Sequence, residues 1–159
     1  MKPLVTAAEV QRIAFGTTHT LREENIPIHT ILAAQRRLLR PVVGERVYAR
    51  LMEESPDDHI NLLMESYLKV PLALYVASLL LPSLAVQVGS AGVVRLAGES
   101  FEAADERSLC RVVRRLRNDA DALLGAATEY LAQNPDLFPE YSASENIKER
   151  VSLKGGILL

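Results

Sequence analysis

The side chains in this sequence that are best suited to bind something are arginines. One group lies in the last third of the chain and consists of Arg107, Arg111, Arg114 and Arg115. At about 100° per residue of a helix, these four side chains fall within an arc of roughly 100°. Guanidinium groups on one exposed face can bind the carboxylates of a partner or the phosphates of DNA. The alternative is a solvated face whose charge is partly offset by nearby acids, namely Glu102, Asp105, Glu106 and Asp119.

A second basic group surrounds Pro41. It consists of Arg36, Arg37, Arg40, Arg46 and Arg50. The same two interpretations apply to this group. Only 5% of the residues are aromatic and there is no tryptophan, which argues against a platform on which single-stranded nucleic acid would stack.

The sequence lacks the usual catalytic and metal-binding patterns. His19, His29 and His59 have no second ligand residue at the spacing that zinc sites show on a helix face. The segment 89–92, Gly-Ser-Ala-Gly, lacks the Lys-Ser/Thr that completes a phosphate-binding loop. The single cysteine, Cys110, borders an apolar stripe, which favours a partly buried structural thiol over a nucleophile. We therefore expect no catalytic residue, no metal and no cofactor.

Composition indicates one globular domain. The chain has 159 residues, of which 48% are hydrophobic and 24% charged, and its formal net charge is −2. That length allows a core to be buried without cross-links, and a single cysteine excludes an intrachain disulfide. So small a net charge does not by itself indicate a nucleic-acid binder. The first residues lack the apolar run of a signal peptide.

The stretch from Val70 to Val94 contains no charged residue. A transmembrane helix needs roughly 20 apolar residues in one helical run, and we expect Pro82 to stop this helix near Leu81. A helix of about a dozen apolar residues is typical of a protein core. We therefore expect residues 70–81 to form a buried core helix without membrane contact.

Capping residues and prolines predict four helices in the first half of the chain. The segment 6–9, Thr-Ala-Ala-Glu, has the form of a capping box and begins the first helix. The second helix lies between Pro27 and Pro41, and the third spans about 45–54. The fourth begins at Ser55, as N-cap, and Pro71 is expected to kink or split it before Leu81.

The last helix is the most regular element and is expected to run from about Ser100 to its cap at Asn134. Its apolar positions share one face and are Leu109, Val112, Val113, Leu116, Ala120, Leu123, Leu124, Ala127 and Leu131. The arginine group lies on the opposite face. Because the apolar face should be buried along its whole length, Leu116→Asp is expected to unfold the domain.

A β-hairpin is predicted over 84–97, since two β-rich runs flank a glycine-bounded turn. Its strand residues Val86, Val88, Val93 and Val94 pack either on the helices of the same chain or against another subunit. In the tail, 136–159, the apolar residues have no sustained helical or strand periodicity. The tail is therefore either disordered or an arm that docks on a neighbour. Its candidate docking residues are Phe138, Tyr141, Ile157 and Leu158.

The predicted fold class is therefore mainly α. It is a bundle of about five helices with one β-hairpin inserted before a long C-terminal helix, followed by an extended arm. The helical domain spans 1–135 and the arm spans 136–159.

The order of these segments resembles the head–tail connector proteins of tailed bacteriophages and prophages, also called adaptor or head-completion proteins. The resemblance is carried by Leu4–Val10, the helix–proline–glycine–helix pattern of Ile31–Tyr48, the run Val86–Leu96, the long last helix and the closing segment Tyr130–Tyr141. Each motif is weak by itself, and the resemblance rests on their order and spacing. The Gly-Gly-Ile-Leu-Leu end has no counterpart in it.

The resemblance implies a non-catalytic, ring-forming virion protein that joins the portal of the capsid to the tail. Its partners would be the portal protein, tail-completion proteins and other copies of itself, with non-specific contacts to DNA in the channel. It would lie in the host cytoplasm before assembly and in the virion afterwards. The alternative is a small helical interaction or regulatory module of the bacterial cytosol that binds an acidic partner through the arginine face.

Overall fold

A computed structural model describes residues 2–16, 22–84, 86–89, 92–95 and 105–146; for the two strands and Glu145 it describes the backbone alone. In chain order the elements are α1 (Ala7–Val10), a π-helical turn (Gln11–Phe15), a 3-10 turn (Glu23–Asn25), α2 (Ile28–Leu38), α3 (Arg40–Val43), α4 (Glu45–Leu51), α5 (Asp58–Leu63), a second π-helical turn (Met64–Leu68), α6 (Lys69–Leu84), β1 (Val86–Gly89), β2 (Gly92–Arg95), α7 (Glu106–Gln133) and a 3-10 turn (Ala143–Glu145).

Two long antiparallel helices form the frame of the bundle. The first is the continuous helical run Asp58–Leu84, which we call the central helix, and the second is α7. The ring of Tyr67 stacks on that of Tyr130 with 4.5 Å between centroids, and Arg117 Nε donates to Ser78 Oγ at 3.4 Å. From the first of these contacts to the second, the chain advances from Tyr67 to Ser78 on the central helix and goes back from Tyr130 to Arg117 on α7. The two helices are therefore antiparallel.

The core lies where the shorter helices cover one side of this pair. The completely buried apolar side chains of α6 include Leu72, Ala73, Val76 and Ala77, as expected for residues 70–81. The central helix is the one helix in the described part of the chain that is long and apolar enough to cross a membrane by length and composition. In this fold its apolar residues meet those of α2 and α7.

Pro71 does not split the central helix. Proline removes one backbone N–H and crowds the carbonyl four residues earlier, which here belongs to Tyr67. The helix widens into the π-helical turn Met64–Leu68 just before this point and then continues to Leu84. Pro82 likewise lies inside α6 instead of ending it near Leu81. The predicted end of the helix near Pro82 is therefore wrong, and so is the split that was one of the two outcomes predicted at Pro71, the other being a kink.

Helix caps follow local chemistry in most places. Thr6 and Glu9 form the predicted capping box, and Asn134 caps the end of α7. The predicted N-cap Ser55 is wrong by two residues, because the carboxylate of Asp57 accepts the N–H groups of His59 and Ile60. Asp105 caps α7 by accepting from Ser108 N–H, so the described helix begins later than Ser100.

The predicted fold class is confirmed in its helical bundle and wrong in its β component. Among the residues whose side chains the structure describes, which do not include the two strands, the buried core belongs to helices, turns and connecting segments. The backbone of β1 pairs antiparallel with β2, with Val88 opposite Val93, but Leu84 ends α6 and is not in a strand. The chain is accordingly mainly helical, and the predicted β-hairpin over 84–97 is wrong in its extent, since the paired backbone covers Val86–Gly89 and Gly92–Arg95.

The segment after α7 is part of the bundle as far as Asn146. Phe138 is 1% exposed and meets the ring of Tyr130 edge-on at 5.8 Å. Tyr141 packs partly buried against the same core, and Asn146 is buried. The predicted boundary at 136 therefore falls too early, because an aromatic side chain beyond the helix covers the end of the core. Ile157 and Leu158 lie outside the described residues.

The stripe on α7 provides a test of where the core ends. Leu124 is fully buried, whereas Leu116 is only partly buried. Leu124→Asp is expected to lower the free energy of unfolding by at least about 4 kcal/mol, because it buries an unpaired charge. Leu116→Asp is expected to cost only about 1 kcal/mol. Thermal unfolding followed by circular dichroism distinguishes the two, and equal losses would contradict the assigned core.

Candidate interaction surface on the last helix

α7 has two halves with different environments. From Ala120 onwards its apolar positions are fully buried, namely Ala120, Leu124, Ala127 and Leu131. From Glu106 to Asp119 no residue is buried, although the apolar spacing continues without interruption. The predicted burial of the whole stripe is therefore wrong for its first half. The exposed half, residues 106–119, is the candidate interaction surface.

The arginine side chains lie on this surface. Arg107, Arg111, Arg114 and Arg115 are all exposed, as the sequence predicts. Arg115 faces Asp119 one turn later, with 3.7 Å between Nε and the carboxylate. So exposed a pair contributes little to stability. The four guanidinium groups are therefore accessible to solvent.

Arg117 is a fifth member of the group that the periodicity did not single out. Its Nε donates to the hydroxyl of Ser78, which is fully buried on the central helix. The hydroxyl also donates to the backbone carbonyl of Tyr75. Arg117 thus links the basic segment to the central helix, while the rest of its side chain stays exposed. From Arg107 to Asn118 the chain carries these five arginines and no acid.

Apolar side chains border the arginines. Val112 is 48% exposed and Leu123 is 41% exposed. On a helical wheel these two positions lie between the arginine face and the buried stripe, about 20° apart. Exposed apolar side chains and arginines are each common on the surface of monomers. The two side by side are typical of a protein-binding surface.

An open groove of about 610 Å³ runs along the opposite edge of the same half-helix. Pro82 of α6 forms one wall, and Leu109, Cys110, Val113 and Arg114 of α7 contribute to the other. Cys110 is exposed, so the prediction of a partly buried thiol is wrong. The groove is lined by both apolar and charged groups, which suits a polypeptide better than a small apolar ligand.

The second basic group is divided between structural pairs and free surface. Arg40 is paired with Glu45, and Arg36, Arg37 and Arg46 are exposed. Arg50 is a structural residue. It binds the carboxylates of Asp57 and Glu140 and donates to the carbonyl of Leu137 at 3.3 Å.

Arg50 therefore joins the start of the central helix to the segment after α7. Its guanidinium carbon lies 5.8 Å from the ring centroid of Phe138, within the range of a cation–π contact. Hydrogen bonds from the backbone of Ile60 and from Arg50 lower the pKa of Asp57 below its ordinary value. Partial burial works to lower the pKa of Arg50, but the carboxylates of Glu140 and Asp57 together raise it above its ordinary value. The group remains charged at every relevant pH.

Acidic residues collect at this same end of the bundle. Glu53, Glu54, Asp57 and Asp58 are all exposed and follow one another without an intervening base. The Nζ of Lys2 lies beside them and donates to the backbone carbonyl of Glu53 at 3.2 Å. We call this cluster the acidic end.

The remaining predicted site residues form no site among the described positions. Val86, Val88, Val93 and Val94 lie in β1 and β2, of whose side chains the structure describes nothing. His29 and His59 are exposed. In the described ranges no three histidine, cysteine or acidic side chains are arranged to hold a metal ion.

Comparison with known proteins gives one match. The model of a family of unknown function, DUF6712, matches residues 39–151, a range that contains the central helix, α7 and the Phe138 segment. No curated protein and no solved structure matches the chain.

Asp57 both caps α5 and forms an ion pair with Arg50, and two substitutions distinguish these roles. Asp57→Asn keeps an oxygen that caps α5 but removes the charge that faces Arg50, so it is expected to cost less than about 1 kcal/mol at neutral pH. Asp57→Ala also loses the cap and is expected to cost about 1 kcal/mol more.

The pH dependence follows from the lowered pKa of Asp57. Its stabilising effect is complete above the pKa of the unfolded chain and disappears as the pH falls through the lower pKa of the folded chain. The difference in stability between wild type and Asp57→Asn should therefore shrink below about pH 4. Urea unfolding across pH 2–7 measures this, and a difference that is constant with pH would contradict the ion pair.

Proposed function

This chain belongs to the DUF6712 family of unknown function, and we propose that it is a non-catalytic assembly protein. The observation that carries the proposal is the surface 106–119, in which a helix continues past the fully buried core with its arginines and Val112 exposed. Covering Val112 and its neighbours with another macromolecule would remove apolar area from water, and the arginines would provide orientation. Such a surface supplies binding and no bond-breaking chemistry.

The more specific proposal is a ring-forming head–tail connector of a tailed phage or prophage. It is supported by the sequence resemblance, whose segments are spread between Leu4 and Tyr141. Its partners would be the portal protein, tail-completion proteins and further copies of the chain. Arginines that reach the central channel would make sequence-independent contacts with DNA phosphates. The protein would be cytoplasmic in the host before assembly and part of the virion afterwards.

One observation favours a second candidate function. Five arginines from Arg107 to Arg117 with no intervening acid would also suit a cytosolic interaction module that binds an acidic partner. The genes that neighbour this one distinguish the two proposals, since a connector gene is expected among genes for portal, capsid and tail proteins.

Reconstitution tests the connector proposal. The purified protein is mixed with the portal protein encoded by the same genome and observed by negative-stain electron microscopy. We expect a ring of added density on one face of the portal. A portal from an unrelated phage serves as the control and should remain undecorated.

Two charge-reversal variants test whether the surface 106–119 is needed for the ring to form on the portal. Arg111→Glu/Arg114→Glu should lose the ring, whereas Arg36→Glu/Arg37→Glu, with the same change in charge on α2, should retain it. If the matching portal shows no association with the wild-type protein at micromolar concentration, the connector proposal is wrong.

A further inference from the structure

We propose that the arginine face of α7 binds the acidic end of a second copy of this chain, in a head-to-tail contact. This deepens the proposed assembly role, on which it rests, by naming the two surfaces that meet. It arises from the distribution of charge and exposed apolar side chains along the bundle.

The two surfaces lie at opposite ends of the molecule. The acidic end directly precedes the central helix, and Arg50 fixes it beside Glu140, beyond the last turn of α7. The arginine face belongs to the first turns of α7, which lie beside the last turns of α6 because Arg117 contacts Ser78. The central helix has 27 residues and at 1.5 Å per residue separates the ends by about 40 Å. One chain therefore cannot join its own two ends.

The two surfaces are complementary in charge. Glu53, Glu54 and Asp58 have exposed carboxylates, while Asp57 is already engaged by Arg50. Lys2 offsets part of this charge, and the end remains negative. The arginine face is uninterrupted from Arg107 to Asn118, although acids flank it on both sides. The net charge of the whole chain, −2, does not reveal that positive and negative side chains collect at opposite ends.

Each surface also pairs its charges with one exposed apolar side chain. Leu62 follows Asp58 by four residues on α5, so both project from one helix face. Leu62 is 48% exposed, as is Val112 beside Arg111. A contact that sets carboxylates against arginines would bring these two apolar side chains to its edge. Phosphates of nucleic acid would leave both uncovered, which favours a protein as the occupant.

The geometry of this contact determines the type of assembly. If two arginine faces met each other, like charges would oppose one another, so a symmetric dimer through this surface is disfavoured. Two different surfaces form a heterologous contact, which repeats from copy to copy and closes into a ring when the rotation per copy permits. Charge pairs near the rim mainly raise association rate and specificity, so the contact should be weak and sensitive to salt.

Photo-crosslinking from Cys110 tests the contact. The thiol is exposed and is the chain's single cysteine, so a benzophenone maleimide attaches at one place beside the arginine face. The labelled protein is mixed with ¹⁵N-labelled, unmodified protein at ~0.05 M and ~0.5 M salt. Dimers are separated on denaturing gels and mapped by mass spectrometry. We expect crosslinks between copies to reach residues 53–62, with a lower yield at high salt.

Charge exchange makes the test specific. Arg111→Glu/Arg114→Glu alone and Glu53→Lys/Glu54→Lys alone should each lower the dimer yield by about tenfold, because attraction becomes repulsion. A mixture of the two variants should restore it, since each then offers the charge that the other lacks. Arg36→Glu/Arg37→Glu and Glu23→Lys/Glu24→Lys are matched controls, and both should crosslink like the wild type.

The outcomes separate this proposal from the connector proposal. Circular dichroism establishes that every variant is folded. If the mixture of folded variants stays uncrosslinked, or if crosslinks map elsewhere than the acidic end, the head-to-tail contact is wrong even where portals are decorated. If duplex DNA binds the wild type but not Arg111→Glu/Arg114→Glu, and no dimer forms, the face binds nucleic acid and the proposal is also wrong. Specific dimers without portal binding would support the contact and reject the connector.

Discussion

The antiparallel contact between the central helix and α7 is the constraint on which the rest of the structure depends. It aligns Tyr67 with Tyr130 near one end and Ser78 with Arg117 towards the other. The short helices before Asp58 cover only part of this pair, and burial on α7 begins at Ala120. The second half of this helix is therefore buried, whereas the first half is the exposed surface that we propose binds a partner. A substitution in the second half should mainly affect stability, and one in the first half should mainly affect the proposed binding.

Local chemistry explains what the sequence predicts well. The box formed by Thr6 and Glu9 and the cap at Asn134 need only neighbouring backbone groups, so their positions follow from residue type. The start of α5 was harder, because Ser55 and Asp57 are both good N-cap residues. A contact with Arg50, which belongs to the preceding helix, holds the carboxylate of Asp57 in place, and the capping pattern of the segment 55–58 does not contain that information.

Features that depend on the extent of tertiary packing were not predictable. Periodicity identifies the apolar face of α7 but not where neighbouring elements end, so Leu116 and Leu124 looked equivalent. Phe138 belongs to no periodic pattern, and its burial follows from the ring of Tyr130 that it meets. Pro71 indicated a disturbance in the helix, but a π-helical turn and a break are alternative responses to the same missing N–H. The candidate surface therefore contains the predicted arginines, whereas Phe138, a predicted docking residue, belongs to the core.

The fully buried amide of Gln35 has a consequence for the order in which the chain acquires structure. Its Oε1 accepts the N–H of Leu4, and its Nε2 donates to the carbonyl of Lys2 and approaches the sulfur of Met52. All these groups lie in the first third of the chain. During synthesis these hydrogen bonds of Gln35 can therefore form before the ribosome has released any of α7. The N-terminal segment of the nascent protein would then already be bound to α2 while the apolar face of the central helix that packs on α7 is still exposed.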